Sequence, residues 1–272
     1  MRLLPLFLLA CTGVTKDDTG VEPADTDTDT DADSDTDTDT DTDTDPRDAT
    51  ISGMVVFEDG SPVPGIEVQV CSTVCRYTET DAAGNFTQGG LEGARFKVDA
   101  IGATYTTPGF GNALFGVDLG ISEDFTIPAP MVVPPAEGPE VANEASGAQT
   151  YVLGDVSLTF TASSLDMPFG VVEDNGDFNV FAGVLEGASV PALWSVAPAF
   201  TVGLLPWGSE PSAPMDIVVT GLAAPDGTYD VYALEEYGAV EGPLGTATVT
   251  GGTATAAGLL PQVWTWLMFV PA

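Results

Sequence analysis

The chain has 272 residues, with 41 Asp and Glu against 6 Lys and Arg, no His, and a formal charge of −35. That balance excludes nucleic acid and an unassisted anionic membrane surface as partners, because both are bound through clustered Lys and Arg. The lack of His removes the commonest general base, and no nucleophile elbow, phosphate-cradling Gly-rich loop or metal-ligand motif is present, so no catalytic residue is assigned.

Residues 1–10 start with Arg2 and continue as an apolar run to Ala10, followed by Cys11. A positive start, an apolar stretch and a small residue before the cut form an export signal. The run is far shorter than the roughly 20 residues that cross a bilayer as a helix. Residues 11–48 follow as a tether, in which every odd position from Asp25 to Asp45 is Asp and nearly every even one is Thr. Nothing there buries apolar area, so nothing offsets an ordering cost of about 1–2 kcal/mol per residue, and disorder is expected. Extended, the chain from Cys11 to Pro46 reaches about 110 Å at ~3.3 Å per residue.

Leu8-Leu9-Ala10-Cys11 resembles the lipobox of bacterial lipoproteins. The resemblance implies a lipid on the Cys11 sulfur, cleavage before it and acylation of the new amino terminus. The membrane is then a partner through Cys11, and several acyl chains give the stable anchoring that one alone does not. Thr12, where retained lipoproteins carry Asp, implies the bacterial outer membrane, with the protein exposed at the surface.

Residues 49–127 read as one small β-sandwich. Ile51 to Phe57 is strand-like and the cluster around Gly60, Pro62 and Gly65 turns the chain. Residues 66–71 alternate as a strand and 75–80 return beside it, which sets Cys71 opposite Cys75 at the hairpin end. An even pair in an exported chain predicts a structural disulfide between Cys71 and Cys75. Asp81 to Phe86 reads as a tight turn with Gly84 at positive φ; Phe96, Val98 and Ala100 alternate in a further strand, and Phe125 and Ile127 close the sheet. Ile51-x-Gly53, Gly60-x-Pro62-Val63-x-Gly65-Ile66-x-Val68 and Thr80-Asp81-x-x-Gly84-x-Phe86 resemble a carboxypeptidase regulatory-like domain. The resemblance implies a transthyretin-like sandwich, close to the collagen-adhesin B-type (CnaB-like) repeats and without catalytic residues. Lys97 is its only Lys and lies off the first strand, so no isopeptide crosslink is expected.

Residues 128–140 carry Pro128, Pro130, Pro134, Pro135 and Pro139 and are predicted to be a stiff linker, because proline fixes φ and removes a donor. Residues 141–272 again show strands and turns without a helical period. Gly251-Gly252 is a hairpin turn between threonine-rich strands, and residues 263–270 form the most apolar strand, placed in the middle of its sheet. The order of Gly227-Thr228-Tyr229, Gly245 to Val249 and a terminal Trp-containing strand resembles ZU5-like modules, with an immunoglobulin-like (Ig-like) sandwich as the alternative. The fold class expected is all-β, two β-sandwich domains in tandem after a disordered acidic tether.

Asp174, Asn175 and Asp177 are the calcium candidates, although Asp, Asn and Gly are also what a turn demands, and turn is the preferred reading. Trp264 and Trp266 are assigned to core, whereas Trp207 in Leu205-Pro206-Trp207-Gly208 is expected exposed on a loop, as a ligand-stacking residue. After Lys97 there is no Lys or Arg, so the C-terminal half makes no ion pair within itself and is expected to gain stability from salt or calcium. Function is read first as a non-enzymatic, lipid-anchored envelope protein displaying sandwiches for structural or adhesive binding. A calcium-assisted glycan- or protein-binding module comes second, and a carboxylate-dependent hydrolase third.

Overall fold

The computed structural model describes residues 48–102, 111–168, 171–173, 175–190 and 194–272. Cys11, the acidic tether and Asp174 lie outside the described residues. The described fold is all-β, with two sandwich-like units in tandem.

The first unit contains β1 (Ala49–Val56), β2 (Glu67–Cys71), β3 (Cys75–Glu79), β4 (Asn85–Leu91), β5 (Ala94–Ile101), β6 (Ala113–Leu119), β7 (Asp124–Thr126) and β8 (Met131–Val132). One sheet runs β4-β1-β7 with β8 also beside β1, and the other runs β3-β2-β5-β6. Period-two alternation turns Val68 and Val70, with Phe96, Val98 and Ala100, onto a core shared with Ile51, Phe86 and Ile127. The turn into β4 follows from its residues. Asp81 Oδ1 accepts the N–H groups of Ala83 and Asn85, and Gly84 takes φ +78° where a Cβ would lie 2.5 Å from the Val55 carbonyl oxygen.

The second unit contains β9 (Glu137–Asn143), β10 (Ala148–Leu153), β11 (Val156–Thr161), β12 (Leu165–Asp166), β13 (Asp177–Glu186), β14 (Phe200–Leu205), β15 (Glu210–Pro211), β16 (Met215–Val219), β17 (Gly227–Leu234), β18 (Val240–Thr250), β19 (Thr253–Leu259) and β20 (Trp266–Pro271). Its ten-stranded sheet runs β10-β11-β16-β19-β18-β17-β20-β14-β13-β9. The outermost strands, β9 and β10, are consecutive in the chain and pack together, so the sheet folds back around one core. β12 and β15 pair separately.

The last strand lies between β17 and β14, as its apolar run predicts. It is apolar at every position because both its faces are covered. Leu267 and Phe269 enter the core of the second unit, while Trp266 and Met268 face a separate cluster. That cluster joins the two units: Val56, Leu114 and Val132 of the first meet Phe181, Leu205 and Leu234 of the second. All described strands belong to one compact unit, Asp43–Ala272. β20 begins later than expected, at Trp266, because the preceding residues bond elsewhere. Trp264 N–H donates to the Ser209 carbonyl (2.7 Å), and Thr265 Oγ1 donates to the Leu234 carbonyl (2.6 Å).

Residues 128–140 depart from the spacer expectation. Met131 and Val132 pair in parallel with Val55 and Val56, and Val133 N–H donates to the Val56 carbonyl. The prolines leave those donors free. Pro139 sits in β9 at an end of the sheet order, where the pairing with β13 shifts register between Val180 and Ala182. An edge position with an irregular register is where a strand tolerates proline.

Candidate functional site

The inward valines of β2 and the inward Phe96, Val98 and Ala100 of β5 leave the intervening residues on the outer face of that sheet. Gln69 pairs with Asp99 and Glu67 with Ile101 across β2 and β5, with Lys97 further along the same face. The second unit covers this face at β6, where Leu114 joins the shared cluster, and stands off it at β2 and β5. A cleft of about 1010 Å³ remains between them. Glu67, Gln69, Lys97 and Asp99 line one wall. The opposite wall has Trp207, Glu210, the turn Glu235-Glu236-Tyr237, and Gln262 with Val263.

The β17–β18 turn is clasped to the first unit. Lys97 Nζ lies 3.2 Å from Glu236 Oε1, Arg95 Nη2 donates to the Tyr237 carbonyl (3.3 Å), and Tyr237 OH donates to the Ser72 carbonyl (3.2 Å). The C-terminal half, which has no cation of its own, thus takes one from β5. Gly116 permits the approach, since a Cβ there would lie 2.1 Å from the Tyr237 carbonyl oxygen.

Asp99 is the unusual group of the cleft. It is 3 % exposed, and its Oδ1 has no hydrogen-bond partner. Burial pushes its carboxyl up to about 7; the Lys97 charge and a hydrogen bond from the Trp207 side chain pull the other way and are outweighed.

The residues singled out from the sequence fall as follows. Cys71 and Cys75 pair across the β2–β3 hairpin and are disulfide-bonded, with Cα atoms 4.0 Å apart. Trp264 and Trp266 are buried in two different clusters. Trp207 is corrected: it is 7 % exposed and packs into the cluster between the units, because its turn is held by Trp264 and Ser209 instead of projecting into solvent. It nevertheless forms part of the cleft wall. Asp177 accepts amide donors from Asn143 (2.6 Å) and Asn175 (2.7 Å), so both carboxylate oxygens serve the turn. Among the described residues no group of three or more His, Cys, Asp or Glu is placed to hold a metal ion.

Sequence reasoning missed Asp99, Lys97, Gln69 and Glu236. A signal existed for two of them. Lys97-x-Asp99, alternating with Phe96, Val98 and Ala100, sets opposite charges side by side on an outward face. What covers that face comes from residues more than a hundred positions later.

No protein-family model matches the chain, and no curated protein matches it. Among solved structures it is similar to a candidate carbohydrate-binding protein of Bacteroides uniformis, at 10 % identity and TM-score 0.24, covering 83 % of this chain and 99 % of that one. A streptococcal ancillary pilin is similar at 14 % identity and TM-score 0.26, covering 76 % and 60 %. A DUF3823 family protein of Bacteroides ovatus is similar at 9 % identity and TM-score 0.24, covering 78 % and 97 %. Likeness at these scores carries no argument about ligand or activity.

Proposed function

We propose that this chain is a non-enzymatic binding protein of the bacterial envelope. In this reading it is lipid-anchored through Cys11, held off the membrane by residues 11–48, and takes a protein or glycan ligand in the cleft between its two sandwiches. The observation that carries the reading is the cleft itself. Its volume of about 1010 Å³ suits a ligand of several residues or sugar rings, and its walls combine amides, carboxylates and the rings of Trp207 and Tyr237. Two units locked by an apolar cluster and the clasped turn hold those walls in place before binding, which lowers the ordering cost of association.

Asp99 favours a second reading. Burial pushes the Asp99 carboxyl up to about 7 in a cleft that also holds the side chains of Glu67, Glu210 and Glu235, and a raised carboxyl sharing a cleft with a second one is the starting point for glycoside hydrolysis. One experiment tests both. Glycan and peptide arrays are probed with the full-length protein and with Gln69→Trp, which fills the cleft from an outward strand position. Binding lost in Gln69→Trp, with the ligand recovered intact, is the expected result. Binding that survives the substitution overturns the cleft assignment, and a ligand recovered in cleaved form overturns the non-enzymatic one.

A further inference from the structure

The charges of the cleft do not balance. Glu67 and Gln69 of β2, Lys97 and Asp99 of β5, Glu210 of β15, and Glu235 and Glu236 of the β17–β18 turn face the same space. Lys97, the one cation among the lining residues, is already paired with Glu236. Glu67, Glu210 and Glu235 are left with no cationic partner among the described residues, and below them lies Asp99 with Oδ1 unbonded. A buried acceptor without a donor is costly to maintain, and the cost is offset when a ligand supplies the missing donor.

We infer that this cleft, on the reading that it is the binding site, takes an extended organic cation and seats an alkylammonium group on Asp99. An anionic ligand meets carboxylates on both walls. A neutral sugar donates hydroxyls to the carboxylates but brings no positive charge to offset them, and the Gln69 amide is already held by Glu67 Oε1 (3.0 Å). A calcium ion needs six to eight oxygens drawn together, and among the described residues no three His, Cys, Asp or Glu converge to hold any metal ion. Spread carboxylates match a ligand whose positive charges are themselves spaced along a chain. Leu205, Pro211 and Val263 give the methylene stem an apolar wall, and Trp207 and Tyr237 add aromatic surface for a cation. Such groups come either from a free polyamine or from lysine side chains on a peptide segment, and the chemistry at Asp99 is the same.

Isothermal titration of the full-length protein separates the possibilities. The probes are spermidine, an unstructured lysine-rich peptide, the same peptide with every lysine acetylated, and a neutral oligosaccharide. Spermidine or the lysine-rich peptide is expected to bind and the acetylated peptide to bind at least about tenfold more weakly, the worth of a hydrogen bond to a charged group. Which of the first two binds tighter identifies the source of the amine. Asp99→Asn is expected to lower amine affinity by a similar factor. At a pH above the titration of Asp99, where losing the Lys97 charge no longer neutralises it, Lys97→Gln is expected to raise amine affinity, since it removes the competing cation and frees Glu236; a variant that simply fails to fold gives the opposite sign. Affinity is also expected to rise from pH 6 to pH 8, with a proton released on binding, as Asp99 ionises against the ligand. Equal binding of native and acetylated peptides, or amine binding indifferent to both variants, overturns the inference. Oligosaccharide binding lost in Gln69→Trp without amine binding overturns it too, and leaves the binding function of the cleft standing. If Gln69→Trp affects no probe, both fall.

Discussion

Lys97 Nζ on β5 and Glu236 Oε1 in the β17–β18 turn are 3.2 Å apart, so an ion pair spans the two sandwiches. Glu236 is more than half exposed, which limits such a pair to about 1 kcal/mol or less. The joint is held mainly by other means: the apolar cluster around Leu114, Leu205 and Trp266, and the close approach of Gly116 to Tyr237. Gly116→Val is therefore expected to cost roughly 1–3 kcal/mol in urea unfolding, while Lys97→Gln costs under about 1 kcal/mol. Equal losses for the two variants would show that charge, not shape, holds the joint.

Asp99 makes stability depend on pH in an unusual sense. Its folded pKa, about 7, lies above the ordinary value of 3.8, so between those values the folded state binds more protons than the unfolded one. Stability is then expected to fall as pH rises from 4 to 8, by up to about 4 kcal/mol. Asp59 and Asp81 act in the opposite direction, because hydrogen bonds from Ser61, and from Asn85 and Ala83, hold them below the usual range. Their contribution is present above the ordinary carboxylate range and lost as pH falls through their lowered values. Melting curves of wild type and Asp99→Asn should differ at pH 8, with Asn the more stable, and converge near pH 4. Parallel curves would contradict the assignment.

The Cys71–Cys75 bond closes a very short loop at the β2–β3 hairpin end. On the chain-entropy account so short a loop gives about 2 kcal/mol. The double variant Cys71→Ala, Cys75→Ala should remain folded and lose about that amount in chemical denaturation. Complete unfolding would mean that the hairpin needs the bond to form at all.

With a formal charge of −35, most carboxylates have no cation to face. Rising NaCl should raise the melting temperature by screening, and CaCl2 at matched ionic strength should add little, since no described carboxylates converge on a metal site. A calcium-specific rise, abolished by chelator, would point to a site among residues such as Asp174 beyond the described ones.

The anchor reading rests on Leu8-Leu9-Ala10-Cys11. Mass spectrometry of the membrane fraction should find a lipid-modified peptide starting at Cys11, absent from Cys11→Ala, with the sandwiches released by protease from intact cells. An unmodified amino terminus in the soluble fraction would remove the envelope from the proposed function.

Much of the fold was legible locally. The alternation of Val68 and Val70 and of Phe96, Val98 and Ala100, the Asp81–Gly84 turn, the Gly251-Gly252 hairpin and the Cys71–Cys75 pair each depend on neighbours a few residues away. Side-chain period and positive φ are properties of the chain itself, and sequence displays them directly. The apolar run 263–270 likewise announced a strand in the middle of its sheet, though not that both its faces are covered.

Only the tertiary structure forms the cleft. Trp207 looked like a loop residue because Pro206 and Gly208 flank it; Trp264, more than fifty residues later, bonds to Gly208 and Ser209 of its turn and holds Trp207 in the cluster between the units. Residues 128–140 looked like a spacer because proline cannot donate, yet the residues between the prolines can, and they enter one sheet of each unit. Asp99 sits between the inward Val98 and Ala100 of β5, so alternation alone sets it on the outward face. It becomes a buried group that holds its proton up to about 7 because it lies at the bottom of the cleft with the Trp207 side chain against it, and desolvation depends on what surrounds a side chain in space, not on its neighbours in sequence.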